Sequence, residues 1–186
     1  MCIRDRSVSA AFAVVNRIDD FAYTPEQNIA HAMTALMAQN KGAGKIDRMK
    51  EGFRCGIILE TIYGILIFII CFALARPLMM MFVKDEEVIG HGVTYLHLIS
   101  VMYLLPALTN GIQGFFRGIG DLKITLISSF INMALRVLAA APLVFIWKMG
   151  IEALPYSYLA GWIGMLVAET PLLLKTYKTW GKKAGQ

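Results

Sequence analysis

Residues 57–75 read IILETIYGILIFIICFALA and carry a single charged side chain, that of Glu60. A helix needs about 20 mostly apolar residues to cross the hydrocarbon core of a bilayer. Similar stretches recur along the 186-residue chain, which is 57% hydrophobic and has a mean hydropathy of +0.58. Short charged loops separate them, and the sequence lacks the many alternating segments typical of membrane β-strands. The sequence therefore predicts an all-α membrane protein.

The apolar stretches predict about five transmembrane helices, at residues 9–39, 51–82, 88–116, 124–147 and 154–177. Pro25 and Pro106 fall inside two of these helices and are expected to kink them. Residues 1–6 are charged and unlike the rest of the chain, so we interpret them as a non-native or disordered end. Residues 181–186 are expected to form a basic cytoplasmic tail.

The lysines and arginines predict the orientation of the helices. With the loop after the first helix in the cytoplasm, eleven basic residues lie on the cytoplasmic side and five on the other. Cytoplasmic loops carry such an excess, so the formal charge of +5 requires no nucleic-acid partner. The C-terminus is then cytoplasmic, and five crossings place the N-terminus outside. That start is natural for the later part of a longer protein.

No pattern indicates catalysis, a bound metal or an organic cofactor. The three cysteines have no metal or redox spacing. Residues 39–45, QNKGAGK, place glycines before a lysine, but the spacing of a phosphate-binding loop and its preceding strand are missing. Without a nucleophile and base set, the chain is not expected to be an enzyme.

Ionisable and polar residues inside membrane segments are costly, so they are functional candidates by default. The candidates for binding a substrate or a coupling ion are Asp19, Asp20, Glu26, His31, Glu60, Asn132 and Arg136. Asn132 and Arg136 are one helical turn apart. They either line a water-facing cavity or bond to a neighbouring helix.

The other candidates also have structural interpretations. Arg17 and Asp20 can pair three residues apart near the outer surface. His31 is either hydrogen-bonded structure or part of a proton relay. Glu60 can be partly solvated near the cytoplasmic end of its helix, and Glu169 can reach toward the inner surface.

Two glycine-rich loops are expected to end helices. Gly42 and Gly44 can adopt the left-handed conformation of a helix C-terminus. Residues 117–121, RGIGD, form either a similar capped turn, in which Arg117 and Asp121 can pair, or a gating contact between loops. The pairs Gly52/Gly56 and Gly114/Gly118 have the spacing that allows close helix packing in lipid.

These loops carry a resemblance to a known family. Residues 10–50, ending in QNKGAGK and a basic helix, resemble a membrane-spanning stretch of the multidrug and toxic compound extrusion (MATE) transporters. Residues 95–121 resemble the tenth helix of that family and its cytoplasmic turn. The matching motif residues are Gln39, Asn40, Gly42, Gly44, Arg117, Gly118, Gly120 and Asp121.

The resemblance implies helices eight to twelve of a transporter with two six-helix lobes, and hence a partial C-terminal lobe. Such transporters lie in the bacterial cytoplasmic membrane and exchange cationic, lipophilic compounds for protons or sodium ions. The partners implied are the lipid bilayer, small organic cations and an N-terminal lobe, without which this part is expected to be inactive. The coupling ion is the only cofactor implied.

This sequence departs from the family pattern at one position. Some members carry an acidic residue on the tenth helix, at about the position of Pro106, and no acid is near it here. Coupling would then use the other lobe, or Asp19, Asp20 or Glu26. Two alternative functions remain: a flippase of lipid-linked sugars, and a non-transporting membrane scaffold.

Overall fold

The computed structural model describes residues 3–146 and 153–183. Seven helices follow one another in these ranges: α1 (Ile3–Gly42), α2 (Ile46–Ala73), α3 (Ala75–Met80), α4 (Glu86–Ser100), α5 (Leu104–Gly118), α6 (Leu122–Phe145) and α7 (Ala153–Lys183). The described part of the chain contains no strand. The predicted all-α fold is confirmed.

The five predicted spans correspond to α1, α2 with α3, α4 with α5, α6 and α7. Among the described residues, α2, α6 and most of α7 are long and apolar enough to cross a membrane, and α4 with α5 can form a fourth, bent span. The 40-residue α1 has ample length, but its polar residues keep it outside this group. Its helical backbone already includes Ile3, so the predicted boundary at residue 7 marks no structural change. Similarly, α7 extends through Lys183 into the predicted tail, of which residues 184–186 lie outside the described ranges.

The predicted helix at 51–82 is divided at Leu74. Pro77 has no N–H to donate to the carbonyl of Ala73, and its ring would clash with that carbonyl. The helix α2 therefore ends at Ala73, and the short α3 begins at Ala75. A ring nitrogen of His97 lies 3.0 Å from the carbonyl oxygen of Phe72, which ties this helix end to α4.

The predicted helix at 88–116 is also broken, and α4 and α5 meet at a 47° bend. Pro106 cannot donate to the carbonyl of Met102, four residues earlier. The chain makes shorter turns instead, with Met102 N donating to Ile99 O at 2.8 Å and Tyr103 N to Ser100 O at 3.2 Å. The kink expected from Pro106 is thus a full break, placed just before the proline.

The two glycine-rich loops end their helices in the same way. Gly44 has φ +67° and Gly120 has φ +81°. Lys45 N donates to Asn40 O at 2.9 Å, and Asp121 N donates to Phe116 O at 3.0 Å. Each is the outer hydrogen bond of a Schellman motif. Gly42 is not left-handed as expected, because it is the last residue of α1.

The two loops lie side by side at one end of the bundle. The Lys41 ammonium group donates a hydrogen bond to the carbonyl oxygen of Ile119, in the loop that follows α5. That carbonyl has no partner within its own helix. A side chain of the first glycine-rich loop therefore completes the hydrogen bonding of the second.

Small residues bring α1 close to α2 and α5. A Cβ atom on Gly114 would lie 2.6 Å from the carbonyl oxygen of Ala30. Met33 on α1 fills the junction of the three helices. Its side chain lies against Gly56 on α2 and Gly111 on α5, where the missing Cβ atoms leave room for it. The close packing predicted from the spaced glycines is confirmed.

Two outer surfaces stay apolar. Along α2, Ile58, Ile62, Ile65 and Ile69 are exposed, and along α6 the exposed side chains include Leu126, Phe130, Met133 and Val137. Contiguous apolar surfaces of this kind are rare on soluble monomers. They are suited to lipid or to another membrane-embedded segment.

Candidate functional site

A cavity of about 310 Å³ opens at the break between α4 and α5. Ile99, Met102, Tyr103 and Pro106 contribute the break itself to the wall, and α1, α6 and α7 supply the rest. We call it the aromatic cavity, because four aromatic residues line it together with one acid and one base. These residues are Tyr23, Tyr103, Tyr158, Trp162, Asp19 and Arg136.

Arg136 is held in place by α7. Its guanidinium carbon lies 3.9 Å from the centroid of the Tyr158 ring, which is a cation–π contact. Its aliphatic stem crosses Gly161, where a Cβ atom would lie 3.0 Å from Arg136 Cδ. Glycine at this position thus lets a long charged side chain lie between two packed helices.

Asn132 lies one turn from Arg136, in a smaller neighbouring cavity of about 170 Å³. Its Nδ2 donates to Met165 Sδ at 3.5 Å. Tyr23 and Trp162 line both cavities, so the two are adjacent. The structure thus joins the two sequence alternatives, since Asn132 faces a cavity and also bonds to a neighbouring helix.

Glu26 on α1 and Glu60 on α2 are two buried acids that lie near each other. Both residues are 0% exposed. None of their four carboxyl oxygens has a hydrogen-bond partner among the described residues. The Glu60 carboxyl is close enough to Glu26 to act on it electrostatically. The expected partial solvation of Glu60 is wrong, and we refer to these two residues as the acid pair.

The acid pair is connected to the aromatic cavity through Tyr23 and Asn110. Asn110 lies beside Glu26 and is 7% exposed. The Tyr23 hydroxyl, on the wall of the cavity, donates to Asn110 Oδ1 at 3.2 Å. The Asn110 Nδ2 is buried without a hydrogen bond of normal geometry. One tyrosine therefore belongs to both sites.

The remaining acidic candidates and His31 do not lie together. Asp19 lines the aromatic cavity, whereas Asp20 and His31 are exposed on other faces of α1. Asp20 shares a surface groove with Arg17. The expected pairing of Arg17 with Asp20 does not form. Within the described ranges the one ion pair is Arg76–Glu86, at 3.0 Å.

The family-motif residues lie away from both sites, at the loop end of the bundle. Asn40 Nδ2 donates to Leu36 O at 2.8 Å, and Gln39 is exposed. Arg117 and Asp121 form no ion pair, and Arg117 Nε is buried without a partner among the described residues. These residues shape helix ends and helix contacts.

Sequence reasoning missed the burial of a third carboxyl group. Glu169 is 0% exposed and does not reach the surface as expected. Gln113 Nε2 donates to its Oε1 at 3.3 Å. It also missed Tyr23 and Asn110, since a tyrosine or asparagine in a helix is not distinctive by itself. Within the described residues, no group of three or more histidine, cysteine or acidic side chains converges as a metal site would require.

Comparisons with known proteins agree with this architecture. The family model described as MatE matches residues 5–141. The chain is 29% identical over 184 residues to the probable multidrug resistance protein YoeA of Bacillus subtilis, covering 95% of this chain and 38% of that protein. It is 24% identical over 173 residues to the probable multidrug resistance protein NorM of Thermotoga maritima, covering 90% of this chain and 36% of that protein.

Solved structures share the fold. An inward-facing multidrug resistance MATE family transporter of the MOP superfamily superposes with a TM-score of 0.83 at 15% identity, covering 88% of this chain and 37% of that one. The eukaryotic MATE transporter AtDTX14 gives a TM-score of 0.83 at 20% identity, covering 99% of this chain and 42% of that one. The chain thus spans between a third and a half of the proteins it resembles. Since the family model covers most of its length, the chain belongs to the MatE family of membrane transporters.

Proposed function

We propose that this chain is part of the C-terminal lobe, helices eight to twelve, of a multidrug exporter of the bacterial cytoplasmic membrane, with its C-terminus in the cytoplasm. The exporter releases lipophilic organic cations in exchange for protons or sodium ions. The observation that carries this proposal is the aromatic cavity, which places Asp19 and four aromatic rings around one space.

The chemistry of the aromatic cavity suits a flat or bulky cation. Aromatic faces attract a desolvated cation with about 0.5–2 kcal/mol, and Asp19 adds a negative charge. Arg136 would repel such a ligand if it were free, but its guanidinium group already covers the ring of Tyr158. The side of the cavity formed by α1 is therefore left for the cationic end of a substrate.

The two alternative functions have less support. A flippase of lipid-linked sugars would need a strongly cationic cavity for its anionic substrate, and Arg136 is the one basic residue lining the aromatic cavity in the described part of the chain. A scaffold subunit would not need polar side chains gathered around shared cavities. Asn132 and Arg136 line cavities here, and the acid pair lies between helices.

An N-terminal lobe would complete the transporter. The relatives are more than twice as long as this chain, and transporters of this kind alternate access by moving two halves around a site between them. The exposed apolar faces of α2 and α6 offer surfaces for such a half or for lipid. We therefore expect the 186-residue chain alone to be inactive in export.

Ethidium efflux from drug-sensitive bacteria tests this function. Cells would express the two-lobed transporter that contains this chain, either unchanged or with Asp19→Asn. We expect efflux from the unchanged protein and a loss of about ten-fold or more in the variant, because a contact with a charged group is worth about 1.5–3 kcal/mol.

The adjacent acid supplies the matched control. Asp20→Asn removes the same charge from the exposed face of α1 and should leave efflux unchanged. Absence of ethidium efflux from the unchanged protein would contradict the proposed function. Equal losses from both variants would contradict the assignment of Asp19 to the substrate site.

A further inference from the structure

The acid pair holds two carboxyl groups that no residue of the described ranges neutralises. Glu26 and Glu60 are 0% exposed, and all four oxygens lack hydrogen-bond partners among the described residues. A carboxylate withdrawn from water is strongly unfavourable unless it is paired, and two such charges side by side are worse. The site must therefore bind something positive when it has the geometry seen here.

The surroundings of the acid pair provide no compensating charge. From α1, Asp19 and Tyr23 face Glu26, and Asp19 brings a further negative charge. From α2, Tyr63 faces the pair, and its hydroxyl donates to the carbonyl of Ala22 at 3.0 Å. From α5 comes the neutral amide of Asn110. No lysine or arginine forms an ion pair with either glutamate in the described ranges.

The donor atoms favour a proton over a metal ion. A hard metal cation is held by a shell of several oxygen ligands. Beyond the two carboxyl groups, the Asn110 carbonyl oxygen already accepts from Tyr23, and the Ala22 carbonyl already accepts from Tyr63. The free group of Asn110 is its NH₂, which is a donor and suits a carboxylate rather than a cation.

We propose that Glu26 and Glu60 form a proton-binding site, and that the Tyr23–Asn110 hydrogen bond links its occupancy to the aromatic cavity. When the site is occupied, one carboxyl group carries the proton and is neutral, so at most one negative charge remains on the acid pair. When the proton leaves to water, the O–H bond breaks and both groups become carboxylates. Two adjacent carboxylates repel each other, so proton release loosens the contact between α1 and α2.

A cation in the aromatic cavity would promote this release. Asp19 and Glu26 are seven residues apart on α1, which places them on the same face of the helix. Positive charge bound near Asp19 stabilises negative charge on the acid pair, and by thermodynamic reciprocity the proton weakens binding of the cation. This link rests on the proposed function, because it assigns the coupling proton of the exporter.

Infrared spectroscopy of the full chain in detergent micelles tests the proton site without any transport. The carbonyl stretch of a protonated carboxyl group would be followed through a pH titration, with and without sodium chloride. We expect a protonated band at neutral pH that Glu60→Gln or Glu26→Gln diminishes and that sodium leaves unchanged. A wild-type spectrum without such a band, or a band that sodium abolishes at constant pH, would overturn the proposal.

Proton release on ligand binding tests the link to the cavity. Tetraphenylphosphonium, an aromatic cation, would be added to the weakly buffered chain with a pH indicator. Trp162 fluorescence reports binding once the other two tryptophans, Trp147 and Trp180, are replaced by phenylalanine. We expect acidification with the wild type and its loss in Glu26→Gln and Glu60→Gln. Tyr23→Phe keeps the ring in the cavity but removes the hydroxyl, so it should bind the ligand with reduced proton release.

Glu169→Gln is the matched control, because it neutralises an equally buried carboxyl that contacts Gln113 instead. It should release protons as the wild type does. Full release in Tyr23→Phe would overturn the role of that hydrogen bond. A wild type that shows the protonated band but does not bind tetraphenylphosphonium would contradict the proposed function while supporting the proton site.

Discussion

At the scale of single residues, the role of a side chain depends more on which side chains of neighbouring helices it lies near than on its residue type. Sequence alone selected Glu26 and Glu60 as separate candidates, since an acid in an apolar helix is conspicuous. It could not show that they lie near each other, because that depends on the rotation of α1 against α2. Tyr23 was missed because tyrosine is common in membrane helices, and only its contact with Asn110 distinguishes it.

The contact between Arg136 and Tyr158 gives a prediction at this scale. Tyr158→Leu removes the ring that covers the guanidinium group, so the freed charge should repel a cationic ligand. We expect tetraphenylphosphonium to bind about two- to thirty-fold more weakly, as measured by Trp162 fluorescence in the same background without Trp147 and Trp180. Tyr158→Phe keeps the ring and should bind nearly as well as the wild type.

Tyr156→Leu on the same helix is the control, because Tyr156 is exposed and does not line the aromatic cavity. It should leave the affinity unchanged. A Tyr158→Leu variant that binds as tightly as the wild type would show that Arg136 does not depend on this ring for its placement.

At the scale of helices, the sequence predicted where they lie but not where they break. The apolar runs extend across Leu74 and across residues 101–103, so hydropathy shows no interruption there. The breaks arise because Pro77 and Pro106 each lack a backbone donor. Pro25 and Pro142 lie inside unbroken helices, so a proline alone does not tell a kink from a break.

The contact between Gly114 and Ala30 gives a prediction at this scale. In Gly114→Ala, the added methyl group would meet a backbone carbonyl, which no side-chain rotation can move. We expect a loss of about 1–3 kcal/mol in the free energy of unfolding, as overpacking usually costs. Unfolding of the purified chain by sodium dodecyl sulfate in mixed micelles would measure it.

Gly90→Ala makes the same substitution in α4, where a Cβ atom would meet nothing within 4 Å. Alanine favours a helix interior over glycine by about 0.5–1 kcal/mol, so this variant should be as stable as the wild type or more so. Similar losses in both variants would mean that the close approach of α1 and α5 does not limit stability.

At the scale of the whole molecule, the basic loops and the apolar outer faces both fit a helical bundle that spans a membrane. The glycine-rich loops meet at one end of the bundle, where Lys41 reaches Ile119. The sequence predicted that these loops share a side of the membrane from their charges alone. It could not predict their contact, which requires the close approach of α1 and α5.

The orientation gives a prediction at this scale. A green fluorescent protein fused after Gln186 should fluoresce in bacteria, and alkaline phosphatase fused at the same place should be inactive, because the C-terminus is expected in the cytoplasm. Cells that express only these 186 residues should accumulate ethidium like cells without the gene. Active phosphatase would contradict the orientation, and efflux by the chain alone would contradict the need for a second lobe.

Met33 makes the junction of α1, α2 and α5 sensitive to oxidants. Its sulfur lies against Gly56 and its methyl group against Gly111, and the residue is 3% exposed at the floor of a groove of about 830 Å³ between α1 and α2, so the access of peroxide depends on the separation of these two helices. Conversion to the sulfoxide adds a polar oxygen to an apolar, closely packed side chain. The rate at which Met33 is oxidised would therefore report how often the helices around the acid pair come apart. Once oxidised, the residue would pack less well against Gly56 and Gly111 until a reductase restores the thioether.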